Sequence, residues 1–90
     1  MIGVYLQLGA ISESAYHDID AKVRAAGVSE QGCLLHTCFK EGDNLAVFDV
    51  WESKEAFEAF ASHLGPIAMA AGLTAMPSTQ FVDMVAYEPR

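Results

Sequence analysis

Residues 45–52 read LAVFDVWE, a strand-like segment whose apolar residues fall on both faces: Ala46, Phe48 and Val50 on one, Val47 and Trp51 on the other. A strand with water on one side alternates apolar and polar residues more cleanly. This segment therefore needs cover on both faces, which restricts the chain to a fold with a layer on each side of this strand. Asp49 interrupts the apolar run. A carboxylate in such a strand needs a partner or a proton, because burying a lone charge costs several kcal/mol or more.

The rest of the chain supplies the layers. Residues 2–9 alternate Ile2, Val4, Leu6 and Leu8 against Tyr5 and Gln7, the period of a strand. Ser12 and Ser14 are candidate N-caps for a helix with the stripe Ala15, Ile19, Val23 and Ala26, stopped by Gly27. Glu13, His17, Asp18 and Asp20 fall outside that stripe and predict a solvated acidic face. Residues 33–40 are a second strand and 45–52 a third, joined by the turn sequence Glu41-Gly42-Asp43-Asn44. Ser53 caps a second helix with Phe57, Phe60, Ala61 and Leu64 on one face, and Gly65-Pro66 is expected to break it. A short helical piece over 67–72, a loop over 74–79 and a last strand over 80–87 complete the reading.

This β-α-β-β-α-β order, spanning residues 1–90 as one domain, predicts an α+β ferredoxin-like fold: a four-stranded antiparallel sheet with both helices on one face. The other face receives nothing from this chain. A 90-residue domain hides only about 60% of its unfolded surface by folding alone, yet 52% of these residues are hydrophobic. A second copy laying its sheet against the bare face is the simplest cover, so a homodimer is expected.

The turn sets the register. Pairing Glu41 with Asn44 makes opposed residue numbers sum to 85, which puts His36 opposite Asp49, Leu34 opposite Trp51 and Cys38 opposite Val47. Opposed residues have Cβ atoms about 4.5–5.5 Å apart, within reach for an imidazole and a carboxylate. The set Cys33, Leu35, Thr37, Phe39, Ala46, Phe48 and Val50 is the more apolar and is expected to meet the helices. Leu34, His36, Cys38, Val47, Asp49 and Trp51 then face the cavity between paired sheets, joined by Tyr5 and Gln7 from the first strand. Asp83 joins them if the last strand has that parity. A largely apolar cavity with a few convergent polar groups is the usual form of a small-molecule site. In it His36 is either a general base oriented by Asp49 or half of a satisfied structural pair.

Composition excludes several classes of partner. The net charge is −7, and the five basic residues (Lys22, Arg24, Lys40, Lys54, Arg90) form no patch, so neither a nucleic acid nor an anionic membrane surface is expected to bind. The start MIGVYLQLG has no secretory signal pattern, which predicts a cytoplasmic protein. No metal-ligand spacing and no glycine-rich phosphate loop is present, so no cofactor is expected. Cys33 and Cys38, five apart, are expected on opposite faces as unpaired thiols. Met69, Met76 and Met84 read as core filling.

The stretch VFDVWESKEAFEAFASHLGP, with the element order and the length, resembles the antibiotic-biosynthesis-monooxygenase-like group of dimeric α/β-barrel proteins; its sharpest part is VWESKEAF, residues 50–57. The resemblance implies two sheets packed face to face and an activity on a small molecule. Group members include cofactor-independent oxygenases of phenolic polyketides, haem-degrading enzymes, and cyclases or isomerases. Haem-degrading members carry a Trp and a haem-ligating His where this chain has Phe60 and Ala70, and a pocket Asn near Gln7. The resemblance thus points to cofactor-free oxidation of a small aromatic or polyketide-like substrate, with His36 and Asp49 as the proton-abstracting pair. A cyclase or isomerase using the same pair and a non-catalytic ligand-binding or structural dimer are the alternatives.

Overall fold

The computed structural model describes residues 1–73 and 77–90. It has the expected element order: β1 (Ile2–Gly9), α1 (Glu13–Ala25), β2 (Cys33–Glu41), β3 (Asn44–Trp51), α2 (Lys54–Ala70) and β4 (Ser78–Asp83). The four strands form one antiparallel sheet in the order β2-β3-β1-β4, so LAVFDVWE is an interior strand. Ser12 and Ser53 cap the two helices, accepting from the backbone N–H of Ala15 and Ala56. Gly42 takes φ 63° at the first central position of the β2–β3 turn, where glycine carries no steric penalty.

Two elements differ from expectation by more than one residue. α2 runs through Gly65-Pro66 to Ala70. Pro66 removes one N–H from the helix, the donor that would serve the Ser62 carbonyl, but Gly65 and Ala68 are buried and their packing holds the helix together. Met69, within the continued helix, is exposed rather than core. β4 covers 78–83 instead of 80–87 because Asp83 pairs with Ile2, the first residue of β1, and beyond it there is no strand to pair with. Met76 and most of the loop read at 74–79 lie outside the described residues.

For β2 and β3 the two faces are the reverse of the sequence expectation, while β1 turns Tyr5 and Gln7 to the helix-free side as expected. Val4, Leu6, Val47 and Trp51 form the buried core with Phe57 of α2, so the face carrying Val47, Asp49 and Trp51 is the one beneath the helices. Tyr5, Phe39, Phe48 and Val50 lie on the open face. Counting apolar residues misjudged the faces because several on the open side are simply exposed: Phe39 keeps 41% of its surface and Val82 48%. Ala46 is fully buried on that face because Tyr5 and Phe39 stack across it, ring centroids 6.4 Å apart.

Candidate active site

The hairpin register brings His36 opposite Asp49. His36 Nδ1 lies 2.7 Å from Asp49 Oδ1, and Trp51 Nε1–H donates to Asp49 Oδ2 at 3.2 Å. Both carboxylate oxygens therefore have a donor, which is what a side chain only 3% exposed requires. Among the described residues, every buried side-chain nitrogen and oxygen has a partner.

A third group, Tyr16, completes the arrangement from α1. Its hydroxyl is 2.5 Å from His36 Nε2, and the two rings stack at 6.2 Å with 15° between their planes. The result is a continuous chain Tyr16–His36–Asp49–Trp51 from helix to sheet. Tyr16 lies one residue past Ala15 in the predicted apolar stripe, and α1 rolls far enough to turn Tyr16, Ile19, Asp20 and Val23 inward. Asp20 is therefore half-buried and not wholly on a solvated face.

The electrostatics follow from this geometry. The Asp49 hydrogen bond holds the His36 pKa above its ordinary 6.5, against a smaller opposing effect of burial and with help from Asp20 and Glu30. Burial is the main reason the Tyr16 hydroxyl is pushed up to about 12, with the negative neighbours Asp20 and Asp49 adding to it. Burial likewise pushes the Cys33 thiol up to about 11 and raises Cys38, so neither is an activated nucleophile.

These groups line a recess of about 90 Å³ between sheet and helices. Leu6, Val47 and Trp51 form its floor, and Val23, Phe60 and Leu64 its roof. Tyr16, His36, Asp49, Asp20 and Glu30 are the polar part of an otherwise apolar wall. His36, on the edge strand, keeps 40% of its side chain exposed.

The other sequence-derived candidates are elsewhere. Tyr5 and Gln7 sit on the open face, where both donate to the Glu41 carboxylate. They share no cavity with His36 and Asp49, because β1 does turn its Ile2-Val4-Leu6 side to the helices and Val4 pairs directly with Asp49. Leu34 does not oppose Trp51. A bulge between Cys33 and Leu35 makes Cys33 the partner of Trp51 and leaves Leu34 as an extra, exposed residue. The same bulge puts Cys33 and Cys38 on one face, both against the helix-side core. Asp83 pairs with Ile2 and so belongs to the helix face, but it is exposed at the rim of the sheet and away from the recess.

No protein-family model and no curated protein sequence matches the chain. Solved structures do. A protein described as an antibiotic biosynthesis monooxygenase from Chloroflexus aurantiacus superposes with a TM-score of 0.65 at 20% identity, over 98% of this chain and 96% of that one. SnoaB, a cofactor-independent oxygenase from Streptomyces nogalater, gives 0.62 at 19% identity, over 99% and 96%. The ActVA-Orf6 monooxygenase of Streptomyces coelicolor, solved with nanaomycin D, gives 0.65 at 16% identity, over 99% and 92%. The chain thus has the fold of the antibiotic-biosynthesis-monooxygenase proteins, in agreement with the resemblance read from VWESKEAF.

Proposed function

We propose that this chain is a small-molecule enzyme of the cofactor-independent monooxygenase type, acting on a small aromatic or polyketide-like substrate by proton abstraction at His36. The observation that carries the reading is the His36–Asp49 pair, 2.7 Å apart, at the wall of an apolar recess. Asp49 orients the ring and stabilises its protonated form, and Trp51 holds the carboxylate in place. Removing a proton from a phenol leaves an electron-rich ring that can react with dioxygen held in the same apolar space. The same first step starts an enolisation-driven cyclisation or isomerisation. The oxygenase reading is preferred because solved structures of this fold include a cofactor-independent oxygenase and a monooxygenase holding nanaomycin D.

The working unit we propose is a homodimer. Phe39 and Val82 are exposed on the helix-free face, and a second sheet would cover them. The recess itself is lined by sheet and helix residues of one protomer.

One observation favours the non-catalytic reading. The recess of about 90 Å³ is smaller than the ~300–1,000 Å³ usual for sites that take drug-sized ligands. A polycyclic substrate enters only if a wall moves.

Oxygen uptake with a panel of mono- and dihydroxynaphthalenes separates the readings. Wild type is expected to consume oxygen, and His36→Asn to slow it by about 10²-fold or more with the fold intact by circular dichroism, the usual scale of general-base catalysis. An unchanged rate in His36→Asn removes His36 as the base. No uptake with any member removes the oxygenase reading and leaves a cyclase or isomerase, or a binding or structural module.

A further inference from the structure

The nitrogen that a general base would offer to its substrate is already occupied. His36 Nδ1 faces a carboxylate oxygen, so in the neutral ring Nδ1 carries the hydrogen and Nε2 the lone pair. Tyr16 Oη, 2.5 Å from Nε2, therefore donates its only hydrogen to His36. What Tyr16 retains is lone pairs on its oxygen, at the wall of the recess. A phenolic oxygen in that state accepts hydrogen bonds and cannot donate one.

Two further observations bear on what can enter. Asp20 and Glu30 line the same recess and lie close enough to His36 to favour its protonated form. Asp20 is partly offset by Arg24 at 3.1 Å, on the exposed side of α1. Their charge opposes an anionic ligand. The space itself, about 90 Å³, is less than the roughly 150 Å³ of an apolar cavity known to hold benzene. As it stands the space takes part of one ring, and a whole ring only if a wall moves.

We propose that Tyr16 is the residue that meets the substrate, as the outer member of a proton relay, and that the site selects uncharged hydroxyl donors (a phenol or an enol of one ring or the reacting ring of a larger molecule) over carboxylates. This rests on the recess being a small-molecule site with His36 as the base. In the relay the substrate O–H donates to Tyr16 Oη. The substrate proton passes to Tyr16 as the Tyr16 proton passes to His36 Nε2. One O–H bond is broken and one formed at Tyr16, and an N–H bond forms at His36. The products are a substrate oxyanion and an imidazolium paired with Asp49, with no change in total charge. Both hydrogen bonds reverse polarity in the step, so Tyr16 then donates to the new oxyanion and stabilises it. Tyr16 does not act as a base by itself, since with its hydroxyl pushed up to about 12 the tyrosinate is scarce at neutral pH.

The test reads binding, so that it does not depend on turnover. Phenol, toluene and benzoate are titrated into ¹⁵N-labelled wild type, Tyr16→Phe and Glu30→Gln, following the Trp51 indole N–H, at a pH where the His36 ring shifts show it neutral. The expected result is that the phenol-to-toluene affinity ratio falls about tenfold in Tyr16→Phe, the scale of one neutral hydrogen bond. Benzoate binds at least several-fold more weakly than phenol to wild type and gains in Glu30→Gln. The ring ¹⁵N shifts of His36 are expected to show Nδ1 protonated and Nε2 bare. A ratio unchanged in Tyr16→Phe, or the opposite tautomer, overturns the relay while leaving the site in place. Benzoate binding as tightly as phenol overturns the charge selection. If none of the three ligands moves the Trp51 signal, the recess is not a ligand site and the enzymatic reading falls with the relay.

Discussion

The two faces of this sheet treat polar groups in opposite ways. Under the helices, Asp49 is 3% exposed between Val47 and Trp51, and each of its oxygens has a fixed donor. On the open face, Tyr5 and Gln7 share the Glu41 carboxylate within reach of water. The contrast shows what burial does to a hydrogen bond. Where water is excluded, losing one partner strands the other, at a cost of about 1–3 kcal/mol per unsatisfied group and more if charged. Where water is present, it replaces the lost partner and little changes. A polar cluster that must be complete is thus a far better marker of a built site than one that need not be.

The sharpest way to test that contrast is to empty its buried side. Asp49→Ala leaves His36 Nδ1–H and Trp51 Nε1–H without their acceptor and opens a small void. The expected loss is about 3 kcal/mol in urea unfolding followed by Trp51 fluorescence. A loss below about 1 kcal/mol would mean that water or a rearranged neighbour takes the place of the carboxylate.

How much of this was legible in the sequence depended on which interactions were local. The His36–Asp49 pairing followed from a two-residue turn and strict alternation, and both held over Leu35–Glu41. The pairing failed only at Leu34, where a bulge without glycine or any other marker shifts the count by one and reverses the side taken by Cys33. The choice of face was not legible, because β3 is apolar on both sides and only the placement of α1 and α2 decides which is covered. Tyr16 was missed for a related reason. Its contact with His36 depends on how α1 rolls against the sheet, and neither periodicity nor composition records a helix rotation.

The second test attacks the open face. A charge placed on it should be tolerated by a lone protomer and fatal to a pair of sheets. Val82→Glu, at a position already 48% exposed, is expected to cost a single chain less than about 0.5 kcal/mol. If the proposed homodimer forms through this face, the same change should weaken association at least 100-fold in sedimentation velocity, by burying an unpaired carboxylate. Equal association constants for wild type and Val82→Glu would move the interface elsewhere.

The third test is pH. The groups acting on His36 are Asp49 from β3, Asp20 from α1 and Glu30 from the loop before β2, and together they raise its pKa above 6.5. Tyr16, from α1, is neutral through this range. A group with a raised folded pKa adds stability that is fully present below its unfolded pKa and is lost as pH rises through the folded value. The stability difference between wild type and His36→Asn is therefore expected to be largest near pH 6 and to shrink as pH climbs past 6.5. Base catalysis runs the other way, because only neutral His36 accepts a proton, so any turnover should rise over the same window. A stability difference that is flat with pH would sever the His36–Asp49 coupling on which both trends depend.

The smallest expected effect belongs to the open-face cluster, and it sharpens the comparison because its size depends on what covers that face. In an isolated protomer Tyr5→Phe removes a hydroxyl that hydrogen-bonds Glu41 beside solvent, and water takes over. The change in stability should be close to none. Under a twin sheet the same hydroxyl and carboxylate lose that access, and Tyr5→Phe would leave Glu41 with an unfilled acceptor in a closed interface. The penalty then grows with protein concentration, as the population shifts from single chains to pairs. Measuring the urea midpoint of wild type and Tyr5→Phe across a hundredfold range of concentration distinguishes the cases. A difference that grows with concentration places this cluster inside an interface, while a constant small one leaves it at the surface, where its hydrogen bonds contribute little.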